Sequence, residues 1–188
     1  MLEKFKSYLW SEYPIPQEYS VWGSRPGVTE VASLDSLLQA SIKEIMSDIL
    51  VTAYIEATGM ITYMPEGTVS VKSAKLSGIY PFQGNRLIKC TYDKGSNRAY
   101  LRFYPAVIAY ERKLTVEDVD NLEGDQLRYL KAYCLYKMAD KEVSILTVAS
   151  MSVDNGNFSL EGLTSFSQKQ YEYYTNMKDE ILIYNTVN

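Results

Sequence analysis

Residues 33–72 read SLDSLLQASIKEIMSDILVTAYIEATGMITYMPEGTVSVK, and the period of their apolar positions changes once along that stretch. Up to residue 59 the spacing is helical, with Leu34, Leu37, Leu38, Ile42, Ile45, Ile49 and Ala53 recurring every third or fourth position. Ser33 is placed to cap the first turn, Asp35 sits where a negative charge suits the helix dipole, and Gly59 is a C-terminal stop. This predicts one helix of about 24 residues, with Ser36, Lys43, Ser47, Asp48 and Glu56 on its outer face. From Met60 the period is two. Met60–Met64 and Thr68–Lys72 flank a Pro65-Glu66-Gly67 turn, and Val69 and Val71 alternate with Ser70 and Lys72, which predicts a β-hairpin.

Outward from this switch, Arg86–Tyr92 and Arg98–Tyr104 read as strands joined by the loop Asp93-Lys94-Gly95-Ser96-Asn97. Ala106–Arg112 follows Pro105, a residue that suits a strand start because it cannot donate to a ladder. Helix returns at Thr115, with Asp118 in the position of a capping-box acid, and Gly124 separates this short piece from a longer helix. In that helix Leu127, Leu130, Cys134, Met138, Ile145 and Val148 form an apolar stripe. Asp154-Asn155-Gly156-Asn157 reads as a turn before a last helix at about 160–184. The expected fold class is α+β: a bundle of about three long amphipathic helices, with a small antiparallel β-sheet of roughly five strands inserted between the first and the last two. Residues 33–188 are expected to form one domain with the insert at about 60–113. Residues 1–32 are expected to form a short helix and an extended arm.

The arm carries Pro14, Pro16 and Pro26 together with the bulky rings of Tyr19 and Trp22. Such rings need a partner, either the chain's own core or a neighbouring subunit, and the sequence leaves both open. Trp10, Tyr13, Tyr19, Trp22 and Arg25 are therefore the candidate interface residues. The 17 tyrosines point the same way, since tyrosine combines a large apolar area with a polar tip and concentrates at interfaces.

The 188 residues include no histidine and only two cysteines, Cys90 and Cys134, which removes most metal and nucleophilic constellations. No P-loop or nucleophile-elbow pattern occurs. The acids Glu117, Asp118, Asp120, Glu123 and Asp125 lack EF-hand spacing and fall at a helix start, where negative charge is favoured anyway. No enzyme activity, cofactor or metal is expected. Neither a signal peptide nor an 18-residue apolar run is present, so no membrane association is expected.

The net charge of −4 hides a polarity: residues 60–114 hold nine Lys/Arg against three Asp/Glu, whereas residues 115–188 hold twelve Asp/Glu against six Lys/Arg. With residues 1–59 also net negative, the chain has a basic middle and acidic flanks, a pattern that suits head-to-tail docking of copies into a ring, with ordinary surface variation as the alternative. The basic surface has a second reading. Lys89, Arg98 and Arg102 lie among Tyr92, Tyr100, Phe103 and Tyr104, the mix found in single-strand nucleic-acid platforms. Strict alternation would instead place Tyr100 and Arg102 on a solvent face and Leu101 and Phe103 on a core face.

The second half carries a family resemblance. Leu114-Thr115-Val116-Glu117-Asp118, the break at Gly124, the helix around Tyr129-Leu130-Lys131-Ala132-Tyr133-Cys134-Leu135-Tyr136-Lys137-Met138, and Asn157-Phe158-Ser159-Leu160-Glu161-Gly162 opening a last helix resemble the neck and head-to-tail connector (head-completion) proteins of tailed-bacteriophage virions. The upstream order, an amphipathic helix and then a strand-rich insert, is similar to neck proteins of contractile-tailed phages. The resemblance spans about residues 33–184 and implies a structural virion protein, with no catalytic residues to carry over. It implies a homo-oligomeric ring between portal or adaptor and tail proteins, located in the virion neck and in the host cytoplasm during assembly, with DNA passing through the lumen without specific binding. In that setting Trp10, Tyr13, Tyr19 and Trp22 would anchor on a neighbouring subunit. A different tail or baseplate component, or a nucleic-acid-binding module using the basic sheet, are the alternatives.

Overall fold

A computed structural model describes residues 2–23, 33–77, 86–148 and 159–187. It is α+β, and the chain divides into a helical unit, residues 1–48 with 115–188, and a β unit, residues 49–114. Arg25 and the turn expected at Asp154–Asn157 lie outside the described residues.

In the helical unit, α1 spans Glu3–Glu12 and α2 spans Leu34–Ile45. Ser33 caps α2 as expected, its hydroxyl oxygen accepting the Ser36 N–H at 3.2 Å, and Leu38, Ile42 and Ile45 are buried. A short 3-10 helix, Val116–Asn121, follows a capping box in which the Thr115 N–H and hydroxyl both donate to Asp118 Oδ2. Two long helices complete the unit: α3, Gly124–Val148, with Gly124 at φ +59°, and α4, Leu160–Val187. Their seam is aromatic. Tyr129 stacks on Tyr174 with ring centroids 5.1 Å apart, and Tyr136 meets Tyr171 at 5.0 Å, so residue numbers run in opposite senses and the helices are antiparallel.

The expected helix over 34–59 is not formed. It stops at Ile45, and β1, Leu50–Ala57, takes up the rest. Val51, Thr52, Tyr54 and Ile55 are β-branched or aromatic, and an eight-residue partner exists in β7, Ala106–Lys113, paired from Leu50↔Lys113 to Ala57↔Ala106. Burial then follows period two, with Ala53, Ile55 and Ala57 inward and Thr52, Tyr54 and Glu56 exposed. The three-long-helix expectation is corrected with it: among the described residues the α-helices are 10, 12, 25 and 28 residues long.

Among the described residues the β unit has seven strands where roughly five were expected: β1, β2 (Ile61–Tyr63), β3 (Thr68–Leu76), β4 (Leu87–Ile88), β5 (Cys90–Asp93), β6 (Arg98–Leu101) and β7. They form two antiparallel sheets, β1-β7-β3-β4 and β2-β6-β5. The hairpin expected across Pro65–Gly67 is absent, because β2 pairs with β6 while β3 pairs with β7. That turn carries the chain from one sheet to the other, with Gly67 at φ +81°. The hairpin across Asp93–Asn97 does form, in register Asp93↔Arg98 and Cys90↔Leu101. Between the sheets lies a core of Ala57, Met64, Ala74, Ala99, Leu101, Ala106, Ile108 and Tyr110. At the border of the unit, the Leu114 N–H donates to the Ile49 carbonyl at 3.0 Å.

Candidate interaction surface

Alternation along β2, β6 and β5 decides which side chains face outward. Ala99 and Tyr92 point to the core, so their neighbours Ile61, Tyr63, Arg98, Tyr100, Thr91 and Asp93 share the outer face through the pairs Ile61↔Tyr100↔Thr91 and Tyr63↔Arg98↔Asp93. The Arg98 guanidinium carbon lies 4.6 Å from the Tyr63 ring centroid and its Nη2 donates to the Tyr63 hydroxyl at 2.7 Å. Arg98 Nε is buried with no hydrogen-bond partner. Nearby, Asp93 takes hydrogen bonds from the Ser96 hydroxyl and the Gly95 N–H, which hold its carboxyl below the usual range and fix the β5–β6 loop.

At the end of β6 the outer face opens into a groove of about 680 Å³, whose lining includes Arg86, Lys89, Tyr100, Arg102, Phe103 and Tyr104. Arg102 lies over the Phe103 ring, 5.6 Å from its centroid. Lys89 and Arg102 thus meet at one groove as two of the three expected basic contacts, while Arg98 stands on the adjoining strand face with Tyr63. Phe103 was expected on a core face by alternation. The strand ends at Leu101, the chain bends, and Phe103 is 53% exposed beside Tyr104 at 51%. Tyr92, expected on the platform, faces inward instead, and its hydroxyl donates to Asn97 Oδ1 at 2.9 Å. The sequence reading missed Tyr63 and Arg86, since nothing local pairs Tyr63 with a residue 35 positions away.

The arm differs more from expectation. Tyr13 and Trp22, read as anchors for a neighbour, are buried in the chain's own helical unit. Their partner is α3, where Glu142, fully buried, accepts the Tyr13 hydroxyl at 2.6 Å, the Ser20 hydroxyl at 2.8 Å and the Val21 N–H at 2.8 Å. Trp22 Nε1 donates to the Met138 carbonyl at 3.1 Å. Burial, then the Glu142 charge, push the Tyr13 hydroxyl far above its ordinary pKa, so it stays a donor. Glu142 was missed, although its place was readable: it falls four residues after Met138 and four before Leu146, on the apolar stripe. Trp10 is half-buried against the edge of Tyr13, and Tyr19 is exposed.

The tyrosines of the α3–α4 seam are likewise internal. The Tyr129 hydroxyl donates to Asp48 Oδ2 at 3.0 Å, and the Tyr133 hydroxyl donates to Glu44, which also pairs with Lys137 at 2.9 Å. Burial and the Glu44 contact push Tyr133 up to about 12, and the Tyr133 and Lys137 contacts hold the Glu44 carboxyl below the usual range. Three of the acids after Thr115 have partners in the helical unit: Asp118 caps its own turn, Asp125 pairs with Arg128, and Asp120 Oδ1 accepts the N–H of Phe5, from α1, at 3.0 Å. Both cysteines are free thiols. Among the described residues, no helix is long and apolar enough to cross a membrane.

No protein-family model and no curated protein sequence matches the chain.

Proposed function

We propose that the chain is a structural assembly protein that docks head to tail with copies of itself, as a subunit of the neck ring joining a phage head to its tail. The observation that carries this reading is the division of charge between the two units. The β unit holds nine Lys/Arg against four Asp/Glu, and the helical unit holds ten against nineteen, so +5 stands against −9 in one chain. Such a chain attracts its own copies by unlike charge, the β unit of one to the helical unit of the next, a heterologous contact that closes into a ring when the rotation allows. Exposed Tyr54, Met60, Ile61, Tyr63 and Leu87 in the β unit add apolar contact area of the kind assembly surfaces use. The resemblance to neck proteins supplies the setting: portal or adaptor on one side, tail proteins on the other, and no reaction catalysed.

Native mass spectrometry across protein concentration and salt tests this. Closed oligomers that dissociate as salt rises are expected, because exposed charge pairs are screened within about 10 Å at 0.1 M salt. A monomer at every concentration and salt overturns self-assembly as the function.

A further inference from the structure

From the groove at the end of β6 we infer that the β unit binds single-stranded nucleic acid without regard to sequence. Two kinds of group are needed for such a site, cations along a backbone track and flat rings open to solvent for bases. Both are present in one place. Arg86, Lys89 and Arg102 line the groove together with Tyr100, Phe103 and Tyr104, and all six are exposed. The strand face beside it continues the same chemistry, with Tyr63 and Arg98 one step of about 7 Å along the strands from Ile61 and Tyr100. Arg102 over Phe103 and Arg98 over Tyr63 present guanidinium planes as well as rings, and both surfaces stack on bases.

A strand of nucleotides answers both the cations and the exposed rings of Tyr100, Phe103 and Tyr104, with phosphates for the one and bases for the other. The acidic helical unit of a second copy, which exposes Tyr8, Tyr19, Tyr171 and Tyr173, is the competing occupant that the test separates. Sequence-independent binding is expected because the site offers planes and charges, and among the described residues that line the groove there is no side-chain amide or carboxylate to read base edges.

The test uses the full chain, a fluorescein-labelled oligothymidine of about 12 nucleotides and an abasic strand of the same length, followed by anisotropy from about 50 to about 200 mM salt. Oligothymidine is expected to bind about five-fold or more tighter than the abasic strand. Phe103→Ala should erase most of that difference. Arg102→Gln should weaken both strands and lower the salt slope by about 1, and Lys89→Gln should do the same. All three positions are exposed, and unchanged thermal melts establish that the variants fold. Equal binding of the two strands would reduce the site to capture of any polyanion and overturn the inference. Absence of binding to either strand, with oligomers lost in Arg102→Gln on native mass spectrometry, would assign the groove to a second copy and overturn it too. Ring formation is read separately, so either reading can fail alone.

Discussion

Glu142 is the residue on which the arm turns. Three donors from residues 13–21 converge on one buried carboxylate, and buried donors left unpaired cost about 1–3 kcal/mol each. Glu142→Ala is therefore expected to lower stability by about 3 kcal/mol or more in urea unfolding. Glu142→Gln should recover only part of the loss, since its amide places a donor where a donor already points. An alanine variant as stable as the parent would show that the arm contributes nothing to the fold. Glu44 sets a pH dependence instead. A carboxyl held below its unfolded pKa of 4.5 stabilises the fold above that value, and the contribution disappears as pH falls through the folded value. Its side chain is 50% exposed, so less than about 1 kcal/mol is at stake. Urea midpoints of the parent and Glu44→Gln should differ near about pH 6 and converge toward about pH 3, and a gap that persists at low pH would assign the effect to packing. At this scale the sequence was legible where chemistry is local, as in the Ser33 cap and the Thr115–Asp118 box. Tyr63 with Arg98, and Glu142 with Tyr13, join residues 35 and 129 positions apart, and no short-range pattern announces them.

Among the elements, the β5–β6 hairpin was readable because its loop and both strands lie within a dozen residues, and the loop supplies its own bonds through Asp93. β1 was not. Ala53 lies on the helical stripe from Ile45 and Ile49, and it also belongs to the inward set with Ile55 and Ala57, so one spacing serves both periods until β7 arrives to pair with it. Pro65-Glu66-Gly67 gives a similar lesson: its turn chemistry was legible, its partners were not, and the chain changes sheets where a hairpin was expected. Gly67 itself sits at φ +81° with open space around it, so a methyl group there meets no atom and the penalty is conformational alone. Gly67→Ala is expected to cost about 1 kcal/mol by chemical denaturation. A neutral substitution would mean that the turn relaxes to negative φ.

For the whole molecule, the charge polarity was legible from counting, whereas the limits of the β unit were not, because they depend on where α2 ends and β1 begins. Those limits fall at Ile49 and Leu114, which are joined by one backbone hydrogen bond. Replacing residues 49–114 by about four Gly/Ser residues should leave the α3–α4 tyrosine seam intact, because a short flexible bridge spans ends that already lie side by side. Near-UV circular dichroism of the shortened chain checks this, and a flat spectrum would show that the helical unit needs the strands in order to pack. With its entry and exit clasped at Ile49 and Leu114, the β unit has the chain geometry of an insertion, leaving the helical sequence and returning to it at a single point.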